Sequence, residues 1–186
     1  MKNAAFRAWS AAQPPTAGTR GVEAMVEGVV AGVAKRVWLF PGRRERGAAI
    51  LRGADPDRIA AARPYKVVPP GESPSARAMQ AVGVALAGEP ALCFLGTGSL
   101  GYGAAQEAIQ FAAASSAPVV FVLSWYVDGP FAAPLAIEPA AYARALGLKV
   151  ASASGADAAA VSAAVSAAVS EVGTGPALVV VEMPHG

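Results

Sequence analysis

Two apolar runs, Ala91-Leu-Cys-Phe-Leu95 and Ala117-Pro-Val-Val-Phe-Val-Leu123, contain no polar residue. A run that does not alternate marks a strand covered on both faces. Elsewhere apolar positions recur at helical spacing. From Gly21 to Ala34 they are Val22, Met25, Val26, Val29, Val30 and Val33, with Glu23 and Glu27 on the other face. Ser75 to Leu86 reads as a helix that buries Ala78, Val82 and Leu86. In Asp157 to Val172 the valines 161, 165 and 169 recur every fourth residue, so its Ala-Ala-Val-Ser repeats obey a helical period despite low complexity. Asp157 stands where a carboxylate favours a helix N-terminus.

Shorter signals fill the gaps. Arg36-Val-Trp-Leu-Phe40 is an apolar segment stopped by Pro41-Gly42, and Glu45 to Arg52 is a helix ended by Gly53. Asp55-Pro56-Asp57 starts a further short helix, and residues 64 to 74, with four prolines and Gly71, form a loop or extended crossing. A helix is expected over Ala104 to Ala112, a turn-rich loop over Ser124 to Leu135, and a helix over Glu138 to Leu146 ended by Gly147. Leu148 to Ser152 and Ala177 to Glu182 read as strands. Alternating strands and helices predict an α/β domain with a mainly parallel sheet flanked by helices, spanning residues 19–186 behind a loose N-terminal arm at 1–18.

Composition narrows the function classes. Charged residues are 15% of the chain, below the roughly 25% of an average soluble protein. Apolar residues reach 54%, so part of the surface is expected to close against another subunit, in a homo-oligomer or with a second protein. The net charge is +2 and the arginines are scattered from Arg36 to Arg63, a pattern that disfavours nucleic acid. Cys93 is the sole cysteine, which excludes an intrachain disulfide and fits a cytoplasmic protein. No apolar run reaches the ~18 residues of a membrane span. The arm carries Lys2 and Arg7 and no acid, so it reads either as a loose segment or as an organelle-targeting one.

Candidate chemistry centres on Gly96-Thr-Gly-Ser-Leu-Gly-Tyr-Gly103, set between a strand and a helix. That layout is a phosphate-binding turn, in which backbone N–H groups face an anion. It also fits a tight strand-to-helix turn inherited without a ligand, because it holds no Asp, Asn, Glu or Lys. Arg43, Arg44 and Arg46 could clamp a diphosphate or carboxylate, or form a solvated helix face. Ser99 and Ser124 are nucleophiles in name only, since no base accompanies them in sequence. His185 is the only histidine and reads as a solvated tail, and Glu72 as a loop carboxylate. Trp125 and Tyr126 suit a ligand stack or a subunit contact.

Taken together, three segments resemble the alpha subunit of the thiamine-diphosphate-dependent 2-oxo-acid dehydrogenases, over roughly residues 20 to 186. They are Val37-Trp-Leu-Phe-Pro-Gly-Arg-Arg-Glu-Arg-Gly-Ala-Ala-Ile-Leu-Arg-Gly-Ala-Asp55, Gly96 to Ala112 with the strand Pro118-Val-Val-Phe-Val122, and Ala143 to Glu182. The resemblance implies a three-layer thiamine-diphosphate-binding fold. It also implies a Mg2+ ion bridging protein and diphosphate, held by the Asp of a Gly-Asp-Gly motif, by an Asn after the next strand, and by a nearby main-chain carbonyl. Those positions are Thr97, Tyr126 and Asp128 here. A hard cation wants several oxygens, carboxylates among them, so metal binding is not expected. Arg44 matches the family's diphosphate arginine, while its neighbouring histidine is Arg46.

The family's histidine-bearing loop falls where this chain is shortened, at about Arg63 to Pro74. Gly96, Thr97, Gly98, Ser99, Arg44, Tyr126 and Asp128 are therefore read as vestigial cofactor positions, with no cofactor and no catalytic residue expected. The resulting expectation is a degenerate homologue acting as a structural, assembly or regulatory partner, with Gly101 to Phe111 and Trp125 to Phe131 as its contact surface. The alternatives are an active alpha-type subunit that binds thiamine diphosphate with Mg2+ beside a separate beta subunit, and a small-anion or nucleotide binder reusing Arg44.

Overall fold

The computed structural model describes residues 1–14, 19, 21–70, 73–133 and 135–184. Its strands are β1 (Trp38–Phe40), β2 (Ala91–Gly96), β3 (Val119–Trp125), β4 (Lys149–Ser154) and β5 (Ala177–Glu182). All pair in parallel, in the order β1-β2-β3-β5-β4. The helices are α1 (Lys2–Ala12), α2 (Glu23–Ala31), α3 (Ala48–Arg52), α4 (Pro74–Leu86), α5 (Gly103–Ala114), α6 (Pro139–Ala145) and α7 (Ala158–Glu171).

The register explains the unbroken apolar runs. Phe40, Cys93, Phe121 and Leu178 lie side by side across four strands and pack under α4, α5 and α6. Leu39, Leu92, Val120 and Ala177 form the adjacent row, which points the other way and packs under α2, α3 and α7. Both faces of the sheet are covered, so the central strands are apolar except near their carboxyl ends, at Ser124 and Glu182. The result is the expected three-layer α/β fold. Each fully buried Val, Leu or Phe contributes about 1.5–3 kcal/mol relative to exposure, which makes these rows the main source of stability.

The low-complexity helix has a packing reason for its small residues. A Cβ at Gly28 would stand 2.5 Å from the Ala158 carbonyl oxygen, and one at Gly32 would stand 2.6 Å from that of Ser162. Gly28 on α2 and Gly32 at its C-cap, one turn apart, therefore let α7 approach closely, with Val161 and Val165 buried in the seam. Asp157 caps α7 by accepting from the N–H groups of Ala159 at 2.8 Å and Ala160 at 3.1 Å.

Three expectations need correction. The N-terminal arm is not loose over its first part: residues 2–12 form α1, whose Phe6 is 2% exposed. Residues 15–18 of that arm lie outside the described residues. The expected polar face of α2 is consequently covered. Arg7 donates to both carboxylate oxygens of Glu27 at 2.7 Å, and the Ser10 hydroxyl donates to Glu23 at 2.8 Å. Finally, α4 buries Ala78, Ala81, Val82 and Ala85 but leaves Leu86 46% exposed, because the helix ends there and turns its last side chain outward.

Candidate functional site

The glycine turn sits where the carboxyl ends of β2 and β3 finish level, with Gly96 opposite Ser124. Loops at the carboxyl ends of parallel strands are the usual place for a ligand in such sheets. Thr97–Gly101 form a 3-10 turn leading to α5. Thr97 is 2% exposed, and its hydroxyl donates to the Ser124 carbonyl at 2.9 Å while accepting the Tyr126 N–H at 2.8 Å. It is a tie between two strand ends. The Ser124 hydroxyl donates back to the Leu95 carbonyl at 3.2 Å, and Ser99 turns inward to accept the Gly96 N–H at 3.1 Å. Neither serine has a partner among the described residues that could act as a base.

Above the tie lies an aromatic plug. Arg44 donates to the Tyr126 hydroxyl at 2.8 Å, and its guanidinium carbon stands 4.1 Å from the ring centre of Phe131 and 5.0 Å from that of Tyr126. The two rings are 5.4 Å apart. Cation–π contacts of this kind contribute roughly 0.5–2 kcal/mol each. Burial pushes the Tyr126 phenol above its ordinary pKa, against the opposing pull of Arg44, so the phenol stays neutral at pH 7. Asp128 stands on the exposed turn that follows.

The three arginines diverge rather than form a clamp. Arg43 is exposed, while Arg44 serves Tyr126. Arg46 turns toward α1, donating to Gln13 at 3.0 Å and lying 5.3 Å from the Trp9 ring centre. Burial and the neighbouring Arg43 lower the pKa of Arg46. Gly47 is what lets α1 approach this segment, since a Cβ there would stand 2.3 Å from the Phe6 ring.

Beneath the turn is a buried group that sequence reasoning missed. Glu45 is 5% exposed and accepts the Gly42 N–H at 3.0 Å; Arg77 is 6% exposed and donates to the Phe94 carbonyl at 3.3 Å. Burial raises the Glu45 carboxyl above its ordinary pKa, while Arg77 and then Arg44 oppose the rise. The thiol of Cys93, in the same region, is pushed up to about 12 by burial. One signal was available: Arg77, Ala81 and Ala85 share one face of α4 at four-residue spacing. Glu45 gave none, standing in a run of arginines that reads as solvated.

The donor set expected for a Mg2+ ion is not formed by these residues. Thr97 has its hydroxyl engaged on both sides, and Tyr126 presents a neutral phenol already held by Arg44. Among the described residues no three His, Cys, Asp or Glu side chains converge as a metal site. Glu72 and His185 lie outside the described residues. The glycines of the turn are not required by local geometry. None of Gly96, Gly98, Gly101 or Gly103 takes a left-handed conformation, and a Cβ at the last three would meet nothing within 4 Å.

No family model matches the chain. It is similar to the 3-methyl-2-oxobutanoate dehydrogenase subunit alpha of Mycobacterium tuberculosis, in strains CDC 1551 / Oshkosh and ATCC 25618 / H37Rv alike. The identity is 31% over 131 residues, covering 60% of this chain and 36% of the relative. Among solved structures, benzoylformate decarboxylase from Polynucleobacter necessarius shares the fold with a TM-score of 0.57 at 16% identity, covering 86% of this chain and 32% of that one. The chain thus spans about a third of the length of each of these proteins. No helix among the described residues is long and apolar enough to cross a membrane.

Proposed function

We propose that this chain is a degenerate homologue of the 2-oxo-acid dehydrogenase alpha subunit that keeps the fold and has lost metal-assisted binding of thiamine diphosphate. It serves as a structural, assembly or regulatory subunit in the cytoplasm, as a homo-oligomer or beside a beta-subunit-like protein. One observation carries the reading. The side chain at the position of the family's metal-binding aspartate, Thr97, is tied between Ser124 and Tyr126, and the surviving arginine, Arg44, is held by the aromatic side chain at the second ligand position. The chemistry of the site has been replaced by internal contacts.

The partner surface is drawn from two segments, 101–111 and 125–131, which carry the exposed Tyr102, Phe111, Val127 and Phe131. Solvent-facing aromatic residues suit an interface core. The test is turnover. Mixed with a dehydrogenase beta subunit, thiamine diphosphate and Mg2+, the chain is expected to release no CO2 from pyruvate or from branched-chain 2-oxo acids. Release above the beta-subunit control would establish the alternative, an active alpha-type subunit.

A further inference from the structure

A second opening lies away from the glycine turn, and no residue of 96–103 lines it. It is a cleft of about 580 Å³ between α4 and the edge of β1. Small-molecule sites commonly measure about 300–1,000 Å³, with mostly apolar walls and a few polar groups. Trp38, Phe40, Val68 and Val84 supply apolar walls here, and Arg63 and Arg77 supply the charge. No Asp or Glu lines the cleft among the described residues.

The two arginines differ in what they can offer. Arg77 lies beside Glu45 and donates to the Phe94 carbonyl, so protein groups already meet it. Arg63 is exposed, and its guanidinium has no hydrogen-bond acceptor among the described residues. Lys66 adds a third positive group near the aromatic wall, 4.4 Å from the Trp38 ring centre, although it is paired with Glu89 at 3.4 Å. An apolar cavity edged by cations selects an anion with a hydrocarbon body.

We propose that this cleft binds a small amphiphilic carboxylate, aryl or branched-alkyl, with its hydrocarbon part against Trp38, Phe40 and Val84 and its carboxylate toward Arg63. A guanidinium takes a carboxylate by two parallel charged hydrogen bonds. The inference stands apart from the fate of the glycine turn, since no residue of 96–103 lines the cleft; Arg77, which also belongs to the buried group beneath the turn, is the one residue common to both.

Phenylacetate and its neutral isostere phenylacetamide are suitable probes, read by amide and indole NMR shifts of the full chain. Phenylacetate is expected to move the Trp38 indole and α4 amides saturably, at millimolar affinity or better, roughly −4 kcal/mol. Phenylacetamide should bind about tenfold more weakly, as should phenylacetate to Arg63→Gln, a surface change that leaves the fold untouched. Gly83→Leu should abolish binding by filling the cleft, because a Cβ at Gly83 meets nothing within 4 Å. Equal affinity for acid and amide would overturn the proposal. So would the absence of any saturable shift, or shifts that survive Gly83→Leu. Concentration-dependent self-association abolished by Gly83→Leu would overturn it in favour of a second copy as occupant.

Discussion

Thr97→Val isolates the tie at the centre of the site. Valine keeps the branched shape but removes one donor and one acceptor where the side chain is 2% exposed. The Ser124 carbonyl loses a partner at 2.9 Å and the Tyr126 N–H one at 2.8 Å. A buried polar group left without a partner costs about 1–3 kcal/mol, so the two together should lower stability by about 2–6 kcal/mol. For a domain of this size a loss of about 3 kcal/mol corresponds to a Tm drop of about 6–12 °C. Urea unfolding followed by far-ultraviolet circular dichroism measures it, with the m value unchanged if the native state is otherwise intact. Thr97→Ser, which keeps the hydroxyl, should recover most of the loss. A change below about 0.5 kcal/mol for the valine variant would refute the reasoning, because the hydroxyl would then not be a structural tie and would be free for a ligand.

Other consequences are open to direct measurement. Phe6→Ala should cost about 3 kcal/mol, the usual cost of emptying a buried aromatic site, and unchanged urea unfolding would return α1 to the status of a loose arm. Cys93, with its thiol pushed up to about 12, should resist a disulfide reagent at pH 8 until the protein is unfolded; fast labelling of the native chain would contradict its burial. The raised Glu45 carboxyl means that the folded chain holds that proton more tightly than the unfolded one. The stability it contributes is complete below its ordinary value of 4.5 and is lost as pH rises through the higher folded value. Stability relative to a Glu45→Gln variant should therefore fall with rising pH across that window, and a relative gain would reverse the assignment.

What was legible in the sequence followed from local period. The runs at 91–95 and 117–123 announced strands covered twice, and the fourth-residue valines of α7 announced its buried face. What was not legible depended on contacts distant in sequence. The helix α1 has Phe6 and Trp9 as apolar anchors, and its polar contacts reach residues distant in sequence, Arg7 to Glu27 and Ser10 to Glu23. Glu45 looked solvated because its counter-charge, Arg77, comes from another helix. The position of β5 between β3 and β4 likewise follows from packing in three dimensions. That a threonine stands where the resemblance implies an aspartate could be read directly, but not that its hydroxyl ties Ser124 to Tyr126.

Calorimetric titration of the full chain with thiamine diphosphate, in the presence and absence of Mg2+, tests the central claim most directly. The tied hydroxyl of Thr97 and the Arg44–Tyr126 plug lead to no saturable heat in either condition. Tight, Mg2+-dependent binding, by the chain alone or paired with a beta subunit, would contradict it.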